Sequence, residues 1–551
     1  MKNNLRNLSA VLAIFLAAIS QTQAQSLDGP LKRPKLVVGI VVDQMRWDFL
    51  YRYIDRYTTG GLRRLVETGY SCENNMIPYT PTITACGHTC VYTGSVPAVH
   101  GIVGNSWYDK TLGRSVYCTE DPTVKTVGSN STDGVMSPAN MLSNTIGDEL
   151  KMATNFKSRV IGIALKDRGS ILPAGHSADA AYWYDGTVGK MISSTYYMKE
   201  LPNWVDSFNN LQLPQKYISK PWSTLYPIDT YTMSTSDDKP YEGRFAGETQ
   251  SVFPHKLVGN AKNPFDILAS SPFGNTYTLD FAKKVIAGYR LGKDKYTDML
   301  CVSLSSTDYV GHQFGPNSIE AEDCYLRLDK DLGAFFTYLD QTVGKDQYLL
   351  FLTADHGALN VPGFLKENKI PGGPFETAML SRQLDTALQA KFGIPKMILS
   401  IDNYQIYLNT KAIEQAGKPM SEVKDFLLTQ LLLNPSVSTV IDLAKIGTPE
   451  LLQPLQMMVT NGYNVKRSGD VQIVLKPAYL TGYLKTGTGH GSYYPYDAHI
   501  PLVWMGWKVP KGKKTNRVTY MTDIAPSIAA MLKIQMPNGT TGTPINELVN
   551  P

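Results

Sequence analysis

Three aspartates and three histidines of the sequence stand in loops where their side chains could bind metal ions. The set is Asp43, Asp308, Asp355, His312, His356 and His490. Asp43 and Asp355 follow apolar, β-rich runs, and the histidines stand beside aspartate or glycine residues. Carboxylate oxygens and imidazole nitrogens are typical ligands of Zn²⁺. Because the chain has only 8 histidines and 3 of them fall in these loops, the set predicts a site for two zinc-like ions.

A threonine-rich segment offers a nucleophile for that site. Thr84 stands nine residues before Thr93, and Thr82 lies two residues upstream of Thr84. A threonine hydroxyl is too weak an acid to attack phosphate at neutral pH. Its alkoxide is stabilised when it binds Zn²⁺ at a helix N-terminus. The residues alone leave both Thr84 and Thr82 as candidate nucleophiles.

Lys166 and Arg168 form a candidate pair for binding an anion. They follow the apolar run at 159–165 and are two residues apart, so on an extended strand end they would point to the same side. Two cations there could stabilise the equatorial oxygens of a transferring phosphoryl group. The alternative is an ordinary solvated strand end.

The elements that must position these residues alternate between strands and helices. Apolar runs rich in β-branched residues predict parallel strands at 35–43, 159–165, 299–304, 348–353 and 500–505. Helical patterns cover 60–67, 141–152, 318–343 and 522–532. This alternation predicts an α/β fold with a mostly parallel, doubly wound sheet between helices. The carboxyl ends of its strands bring the candidate ligands to one edge.

The length of 551 residues would allow three or four domains at roughly 150 residues each. Residues from Asp43 to His490 must nevertheless converge on one site, so we predict a single catalytic domain over 25–551. Two long segments, at about 171–280 and 358–489, interrupt the alternation and are interpreted as insertions into that domain. The net charge of +5 is small and no basic block stands out, so nucleic acid is not a predicted partner.

The first 24 residues have the pattern of a signal peptide. Lys2 and Arg6 precede an apolar stretch of twelve residues, and the small residues Thr22 and Ala24 suit a cleavage site. Twelve residues are too few to span a bilayer as a helix. We therefore expect an exported chain, periplasmic or secreted, without a membrane anchor. Export permits disulfides among the 6 cysteines, but the sequence does not choose a pairing.

The segment from Pro81 to Trp107 resembles the nucleophile segment of the alkaline phosphatase superfamily. In the phosphodiesterase/nucleotide pyrophosphatase branch, a threonine starts a helix, Thr-Gly follows nine residues on, and then come proline and His-Gly-Ile. The sequence repeats this pattern at Thr84, Thr93, Pro97 and His100. The motifs VVDQMRW at 41–47, LKDR at 165–168, AGH at 174–176 and STDYVGH at 306–312 resemble the phosphate-irrepressible, PafA-type alkaline phosphatases. The resemblance covers essentially the whole chain after the signal peptide.

The resemblance implies a role for each candidate residue. It implies that Asp308, His312 and His490 hold one zinc ion. Asp43, Asp355 and His356 would hold the second zinc ion, which also binds Thr84. The nine-residue spacing favours Thr84 over Thr82 as the nucleophile. Asn105, Lys166 and Arg168 would contact the phosphate oxygens, whereas His88 and His100 are expected to make structural hydrogen bonds only.

We therefore expect a zinc-dependent alkaline phosphatase with two Zn²⁺ per chain. It would hydrolyse small phosphate monoesters and release inorganic phosphate through a covalent phosphothreonine, and we take the chain as a monomer. The alternative on the same scaffold is a phosphodiesterase or nucleotide pyrophosphatase, a branch that lacks the pair Lys166 and Arg168. A sulfatase is disfavoured because residues 86–90 lack its proline and arginine. A phosphoglycerate mutase is disfavoured because it would use a serine nucleophile. A non-catalytic binding protein is disfavoured because every catalytic position retains a competent residue.

Overall fold

A ten-stranded sheet carries the fold of the computed structural model, which describes residues 32–447, 451–481 and 485–549. The predicted signal peptide, 1–24, lies outside the described residues. The strands are β1 (Leu36–Val42), β2 (Tyr70–Met76), β3 (Ser106–Asp109), β4 (Arg114–Tyr117), β5 (Thr126–Val127), β6 (Val160–Ile163), β7 (Ala180–Asp185), β8 (Lys190–Ser194), β9 (Asp298–Leu304), β10 (Tyr348–Thr353), β11 (Gly373–Phe375), β12 (Ile398–Asp402), β13 (Gln405–Leu408), β14 (Val437–Asp442), β15 (Val471–Leu475), β16 (Tyr479–Thr481), β17 (Leu502–Gly506) and β18 (Lys513–Tyr520).

The strand order in the large sheet is β18-β2-β17-β10-β1-β9-β6-β7-β8-β5. The central strands β10, β1, β9, β6 and β7 are parallel, and β17 and β8 run antiparallel to their neighbours. All seven residues of β1 are buried, as expected for a strand covered on both faces. The α/β prediction is confirmed, including each of the five predicted strands, although the strand predicted at 500–505 is antiparallel to β10.

Helices cover both the core and the two interrupting segments. The α-helices are Phe49–Arg52, Leu62–Thr68, Thr84–Thr93, Pro97–His100, Ile146–Ala153, Asp167–Ala174, Asn203–Asn209, Leu213–Ile218, Phe273–Gly288, Ser306–Phe314, Ile319–Leu339, Pro362–Glu367, Thr377–Phe392, Thr410–Gln415, Met420–Leu432, Leu455–Gly462, Pro495–Ala498, Ile524–Leu532 and Asn546–Val549. Short 3₁₀ turns are Ile228–Thr230, Asp266–Leu268, Leu443–Lys445 and Met521–Asp523, and a π-helical turn covers Asp340–Gly344. Among these described helices, none is long and apolar enough to cross a membrane.

One predicted helix starts later than expected. The helix predicted at 141–152 begins at Ile146, because Thr145 and Asp148 form a capping box. In that box the Thr145 side chain accepts a hydrogen bond from the Asp148 N–H, and the Asp148 carboxylate accepts one from the Thr145 N–H. Such a box satisfies backbone donors that would otherwise be unpaired and so fixes a helix start.

The two interrupting segments differ in how they join the core. The segment at 171–280 supplies β7 and β8 to one edge of the large sheet. The segment at 358–489 contains a separate four-stranded sheet in the order β12-β13-β15-β14. That sheet buries its own apolar cluster, which includes Leu384, Leu388, Ile406, Leu427 and Val471. All 6 cysteines are buried and unpaired.

Candidate active site

The carboxyl ends of three adjacent parallel strands build the site. Asp43 follows β1, Asp355 follows β10, and Asp308 lies in the first turn of the helix that begins just after β9. Because β1 pairs with both β9 and β10, these three carboxylates meet at one edge of the sheet. All three are buried, with exposures of 0%, 0% and 4% for Asp43, Asp355 and Asp308.

Lys166 binds two of these carboxylates directly. Its Nζ donates hydrogen bonds to Asp43 Oδ2 at 2.6 Å and to Asp308 Oδ2 at 2.5 Å. Although burial lowers it, Asp308 and Asp43 raise the pKa of Lys166, so the ammonium stays charged. Lys166 is therefore the cation that bridges the carboxylates of β1 and of the helix after β9.

Three imidazoles complete the cluster with one nitrogen turned toward the carboxylates. In each ring Nδ1 donates to a backbone carbonyl: His312 to Thr488 at 2.8 Å, His356 to Gly357 at 3.0 Å and His490 to Thr82 at 2.7 Å. A carbonyl oxygen only accepts, so Nδ1 carries a proton, and in the neutral ring Nε2 keeps its lone pair. A hydrogen bond from the other ring nitrogen to a carbonyl is how proteins orient histidine ligands of metals.

The Nε2 atoms converge on the carboxylates. His312 Nε2 is 3.1 Å and His490 Nε2 is 3.9 Å from Asp308 Oδ1. His356 Nε2 is 3.5 Å from Asp43 Oδ1 and 3.4 Å from Asp355 Oδ2. The rings of His356 and His490 stack with centroids 3.4 Å apart.

The residues present fit two metal ions. The possible ligand atoms of Asp308, His312 and His490 lie within 4.8 Å of one another, as do those of Asp43, Asp308 and His356. Among the described residues, the buried atoms Asp43 Oδ1 and Asp355 Oδ2 lack a hydrogen-bond partner. With all three buried carboxylates ionised, one lysine leaves uncompensated negative charge, which a bound cation would offset.

The electrostatics of the cluster follow from burial and mutual contact. Burial, together with Asp308 and Asp355, raises the pKa of Asp43 well above its usual range. Burial acts in the same direction on Asp308, but His312 and Lys166 lower the pKa of Asp308 well below that range. Burial and the neighbouring His356 lower the pKa of His490, which favours the neutral imidazole that a metal ion requires.

Thr84 begins a ten-residue helix in which every residue is buried, Thr84–Thr93. We call it the nucleophile helix. Its N-cap, Ile83, is extended and offers no side-chain cap. Thr84 Oγ1 lies 3.3 Å from His356 Nε2. The rival Thr82 instead donates its hydroxyl to Ser492 O at 2.8 Å.

Asn105 and Arg168 reach the same region from two other elements. The Ala85 N–H of the nucleophile helix donates to Asn105 Oδ1 at 3.0 Å. Arg168 lies in the first turn of the helix Asp167–Ala174, whose N-cap is Lys166. The expectation that both cations sit on a strand end was wrong, because β6 ends at Ile163 and Arg168 is helical.

Sequence reasoning missed two residues that orient the site, Gln44 and Tyr117, and expected only structural hydrogen bonds of a third, His88. Gln44 donates from Nε2 to Asp308 Oδ1 at 2.7 Å and from its backbone N to Asp355 Oδ1 at 3.1 Å. Tyr117 accepts from Arg168 Nη1 at 3.0 Å. His88 lies 3.2 Å from Asp355 Oδ2 and hydrogen-bonds the Thr84 carbonyl at 3.0 Å. The hydrogen bonds of His88 agree with the structural role expected for it. Of the two missed residues, Gln44 carried a signal in the sequence, since it stands within the matched motif at 41–47.

Comparison with known proteins shows the family to which the chain belongs. Residues 37–499 match the model of the type I phosphodiesterase/nucleotide pyrophosphatase family. The chain is 53% identical over 517 residues to alkaline phosphatase PhoV of Synechococcus elongatus, covering 94% of this chain and 93% of that protein. It is 49% identical over 519 residues to alkaline phosphatase PafA of Elizabethkingia meningoseptica, covering 94% and 95%.

A crystal structure of wild-type alkaline phosphatase PafA has the same fold. It superposes with a TM-score of 0.92 at 48% identity and covers 95% of this chain and 100% of that chain. Such identity over nearly the full length extends beyond a shared fold to shared chemistry. The chain belongs to the type I phosphodiesterase/nucleotide pyrophosphatase family within the alkaline phosphatase superfamily, and it is a phosphoric monoester hydrolase.

Proposed function

We propose that the chain is a zinc-dependent alkaline phosphatase that forms a covalent phosphothreonine at Thr84. The observation that carries this proposal is the position of the Thr84 hydroxyl, 3.3 Å from His356 Nε2 at the start of a buried helix. Its partners are three carboxylates and three correctly oriented imidazoles within one cluster. Threonine becomes a competent nucleophile only in such surroundings.

Two zinc ions would be held by two groups of side chains. Asp308, His312 and His490 would hold one ion, and Asp43, Asp355 and His356 would hold the other. Asp308 lies within reach of both groups, since its Oδ1 is close to His312 and its other oxygen shares Lys166 with Asp43. When bound, such a pair of ions stabilises the charges of the attacking and leaving oxygens of an in-line displacement.

The chain's own residues position the reaction. Thr84 Oγ1 forms a bond to phosphorus while the bond to the ester oxygen breaks, and the alcohol leaves. Water then attacks phosphorus, the bond to Thr84 breaks, and inorganic phosphate is released with the Thr84 hydroxyl restored. Lys166, Arg168 and the Asn105 amide stabilise the equatorial oxygens of the transferring phosphoryl group.

The alternative is a phosphodiesterase on the same scaffold, which the family model also describes. A monoester dianion presents three charged oxygens, whereas a diester carries a substituent on one of them. Lys166 binds the carboxylate cluster, and the charges of Lys166 and Arg168 interact, so the site supplies two cations that favour the dianion. Paired monoester and diester kinetics on one preparation decide between the two, and a higher kcat/KM for the diester would refute our choice.

The nucleophile assignment is tested by trapping the intermediate. Thr84→Ala should abolish phosphothreonine formation and lower monoester turnover by at least about 10³-fold, since covalent catalysis is lost. Rapid acid quench with labelled monoester, followed by peptide mapping, measures the trapped phosphate. Thr82→Ala is the matched control and should keep the trapped phosphate on Thr84. Label on Thr82, or near-normal turnover of Thr84→Ala, would overturn the assignment.

The zinc assignment is tested by removing and restoring metal. Chelation should abolish activity and lower the Tm, because three buried carboxylates then lose their counter-charge. Added Zn²⁺ should restore both properties at two ions per chain, measured by elemental analysis. Recovery with Mg²⁺ alone, or a stoichiometry of one, would contradict the proposal.

We also propose that residues 1–24 are removed on export, on the basis of the sequence pattern of the N-terminus. The substrates would then be small phosphate monoesters outside the cytoplasm. N-terminal sequencing of the protein recovered from the cell exterior or periplasm should begin at Gln25. A mature chain that retains Met1 would contradict cleavage.

A further inference from the structure

A cleft of about 390 Å³ opens beside the candidate active site. Tyr309 and Gln313 line it from the helix Ser306–Phe314, which also carries Asp308 and His312. Lys166 Nζ lies 5.0 Å from the centre of the Tyr309 ring. Tyr309 is therefore a wall shared between the cleft and the cluster that would bind phosphate.

The rest of the lining comes from the interrupting segment at 171–280 and includes Arg244. The backbone on both sides of Arg244 is held in place. The Gly243 N–H donates to Gln313 O at 2.8 Å, and Phe245 is 4% exposed and packs on Phe314 with ring centroids 5.5 Å apart. The exposed Arg244 side chain thus projects from a fixed base at a fixed place along the cleft.

The cleft offers a positive charge to a ligand. Arg244 and Asp266 are its charged lining residues. Within the described part of the chain, Arg244 has no ion-pair partner. The Asp266 carboxylate packs against the backbone of Gly186, where its Oδ1 lies 1.5 Å from the position that a Cβ would occupy. A guanidinium without a partner at the edge of a cleft can bind a carboxylate or a phosphate.

The in-line geometry of phosphoryl transfer connects the cleft to the reaction. Thr84 lies at the His356 end of the cluster, so the leaving oxygen must depart at the opposite end, beside Asp308 and His312. Tyr309 and Gln313 directly follow those two residues in sequence and face the cleft. Resting on the proposed function, we propose that this cleft receives the leaving group of the monoester, and that Arg244 favours leaving groups that carry a second anionic group.

The proposal is tested with two substrates that differ by one carboxylate, phenyl phosphate and 4-carboxyphenyl phosphate. Arg244→Gln should lower the ratio of their kcat/KM values, carboxylated over plain, by about 5-fold relative to the wild-type ratio. Differences in intrinsic leaving-group reactivity cancel in this comparison. The matched control is Arg382→Gln, an exposed arginine on the helix Thr377–Phe392, which should keep the wild-type ratio. An unchanged ratio in Arg244→Gln, or an equal fall in Arg382→Gln, would overturn the proposal.

A second measurement does not depend on turnover. Calorimetric binding of benzylphosphonate and 4-carboxybenzylphosphonate to metal-loaded Thr84→Ala should show tighter binding of the carboxylated compound. That preference should disappear in the Thr84→Ala, Arg244→Gln double variant and weaken at high ionic strength. Equal affinities in the single variant would overturn the role of Arg244. A wild-type chain that hydrolyses neither ester would instead contradict the proposed function, and the binding comparison would still decide the role of the cleft.

Discussion

At the scale of single residues, the site works by fixing side chains through a second layer of hydrogen bonds. The three histidines each give Nδ1–H to a backbone carbonyl, and Gln44 holds Asp308 and Asp355 from one position. Gln44 adopts a left-handed conformation with φ of 64°. A non-glycine residue bears that strain where the structure around it requires the conformation. Gln44 is therefore a positioning residue for two of the candidate ligands.

Tyr117 holds Arg168 through a short network. The Tyr117 hydroxyl donates its single proton to Asp167 Oδ1 at 2.6 Å, and its lone pair accepts from Arg168 Nη1 at 3.0 Å. Burial, with the negative charge of Asp167, raises the pKa of Tyr117 well above its usual value. The hydroxyl consequently stays protonated in the alkaline range and keeps donating to Asp167. A neutral phenol therefore holds the Arg168 guanidinium in place.

We predict that Tyr117→Phe lowers kcat/KM for a monoester by about 10-fold, because Arg168 loses an acceptor and Asp167 loses a donor. The decisive measurement is a double-mutant cycle. In an Arg168→Ala background, Tyr117→Phe should have almost no further effect, since its contribution passes through Arg168. Tyr108→Phe, on the neighbouring strand β3, is the control and should leave kcat/KM within two-fold of wild type in both backgrounds. Additive losses would show that Tyr117 acts independently of Arg168.

At the scale of elements, the strand pattern was predictable and the close contacts between elements were not. The burial of β1 and its paired neighbours follows directly from runs such as 35–43, and their carboxyl ends predicted where Asp43 and Asp355 would meet. The predicted position of Arg168 was wrong because β6 ends at Ile163 and a helix starts at Asp167. Tyr117 was missed because a hairpin of β3 and β4 brings it back to Arg168, 51 residues later in the chain. Contacts over such separations depend on tertiary packing and leave no local pattern.

The nucleophile helix packs closely against the residues after β10 at one glycine, Gly87. A Cβ on Gly87 would lie 2.5 Å from the carbonyl oxygen of Asp355 and 2.7 Å from its Cβ. Those atoms belong to the backbone and to the root of a buried side chain, so they cannot turn aside. Gly87 therefore sets the distance between Thr84 and the carboxylate of Asp355.

We predict that Gly87→Ala lowers the Tm and reduces kcat/KM by at least about 10-fold. Overpacking a tight contact costs about 1–3 kcal/mol, and the separation of helix and loop displaces Thr84 from His356. Calorimetry and monoester kinetics measure the two effects. Gly447→Ala is the control, because no atom of the described residues beyond its chain neighbours lies within 4 Å of the new Cβ. Wild-type kinetics and Tm in Gly87→Ala would refute the role of this contact.

At the scale of the whole molecule, the interrupting segments are tied to the site and to each other. The Gly487 N–H donates to Tyr241 O at 2.9 Å, and the Tyr241 hydroxyl donates to Glu367 at 2.6 Å. These contacts join the segment at 171–280 to the one at 358–489, three residues before His490. Together with the hydrogen bond from the Gly243 N–H to Gln313 O, these contacts fix part of the lining of the cleft that contains Arg244. The added length therefore serves the site as well as the core.

A buried acidic cluster lies under that wall and links stability to pH. His255 stands 3.0 Å from both Glu248 and Glu320, and Glu320 interacts with Glu242. Burial and the charge of Glu320 raise the pKa of Glu242 to about 9. Burial lowers the pKa of His255, but Glu320 and Glu248 raise it above 6.5 overall. Asp237 adds further negative charge near Glu242.

Both shifts make the folded chain less stable as the pH rises. The unfolded chain releases the Glu242 proton near pH 4.5, whereas the folded chain keeps it up to about pH 9, so the free energy of unfolding falls across this range. The contribution of His255 to stability is complete below pH 6.5 and is lost as the pH passes its raised pKa.

We predict that Glu242→Gln, which stays neutral, raises the Tm by about 1–2 °C at pH 9 and leaves it nearly unchanged at pH 4.5. Differential scanning calorimetry of the metal-loaded protein measures this difference, with the exposed Glu414→Gln as control. A Glu242→Gln variant that is less stable than wild type at pH 9 would contradict this account, because it would show that the ionised Glu242 carboxylate stabilises the folded chain.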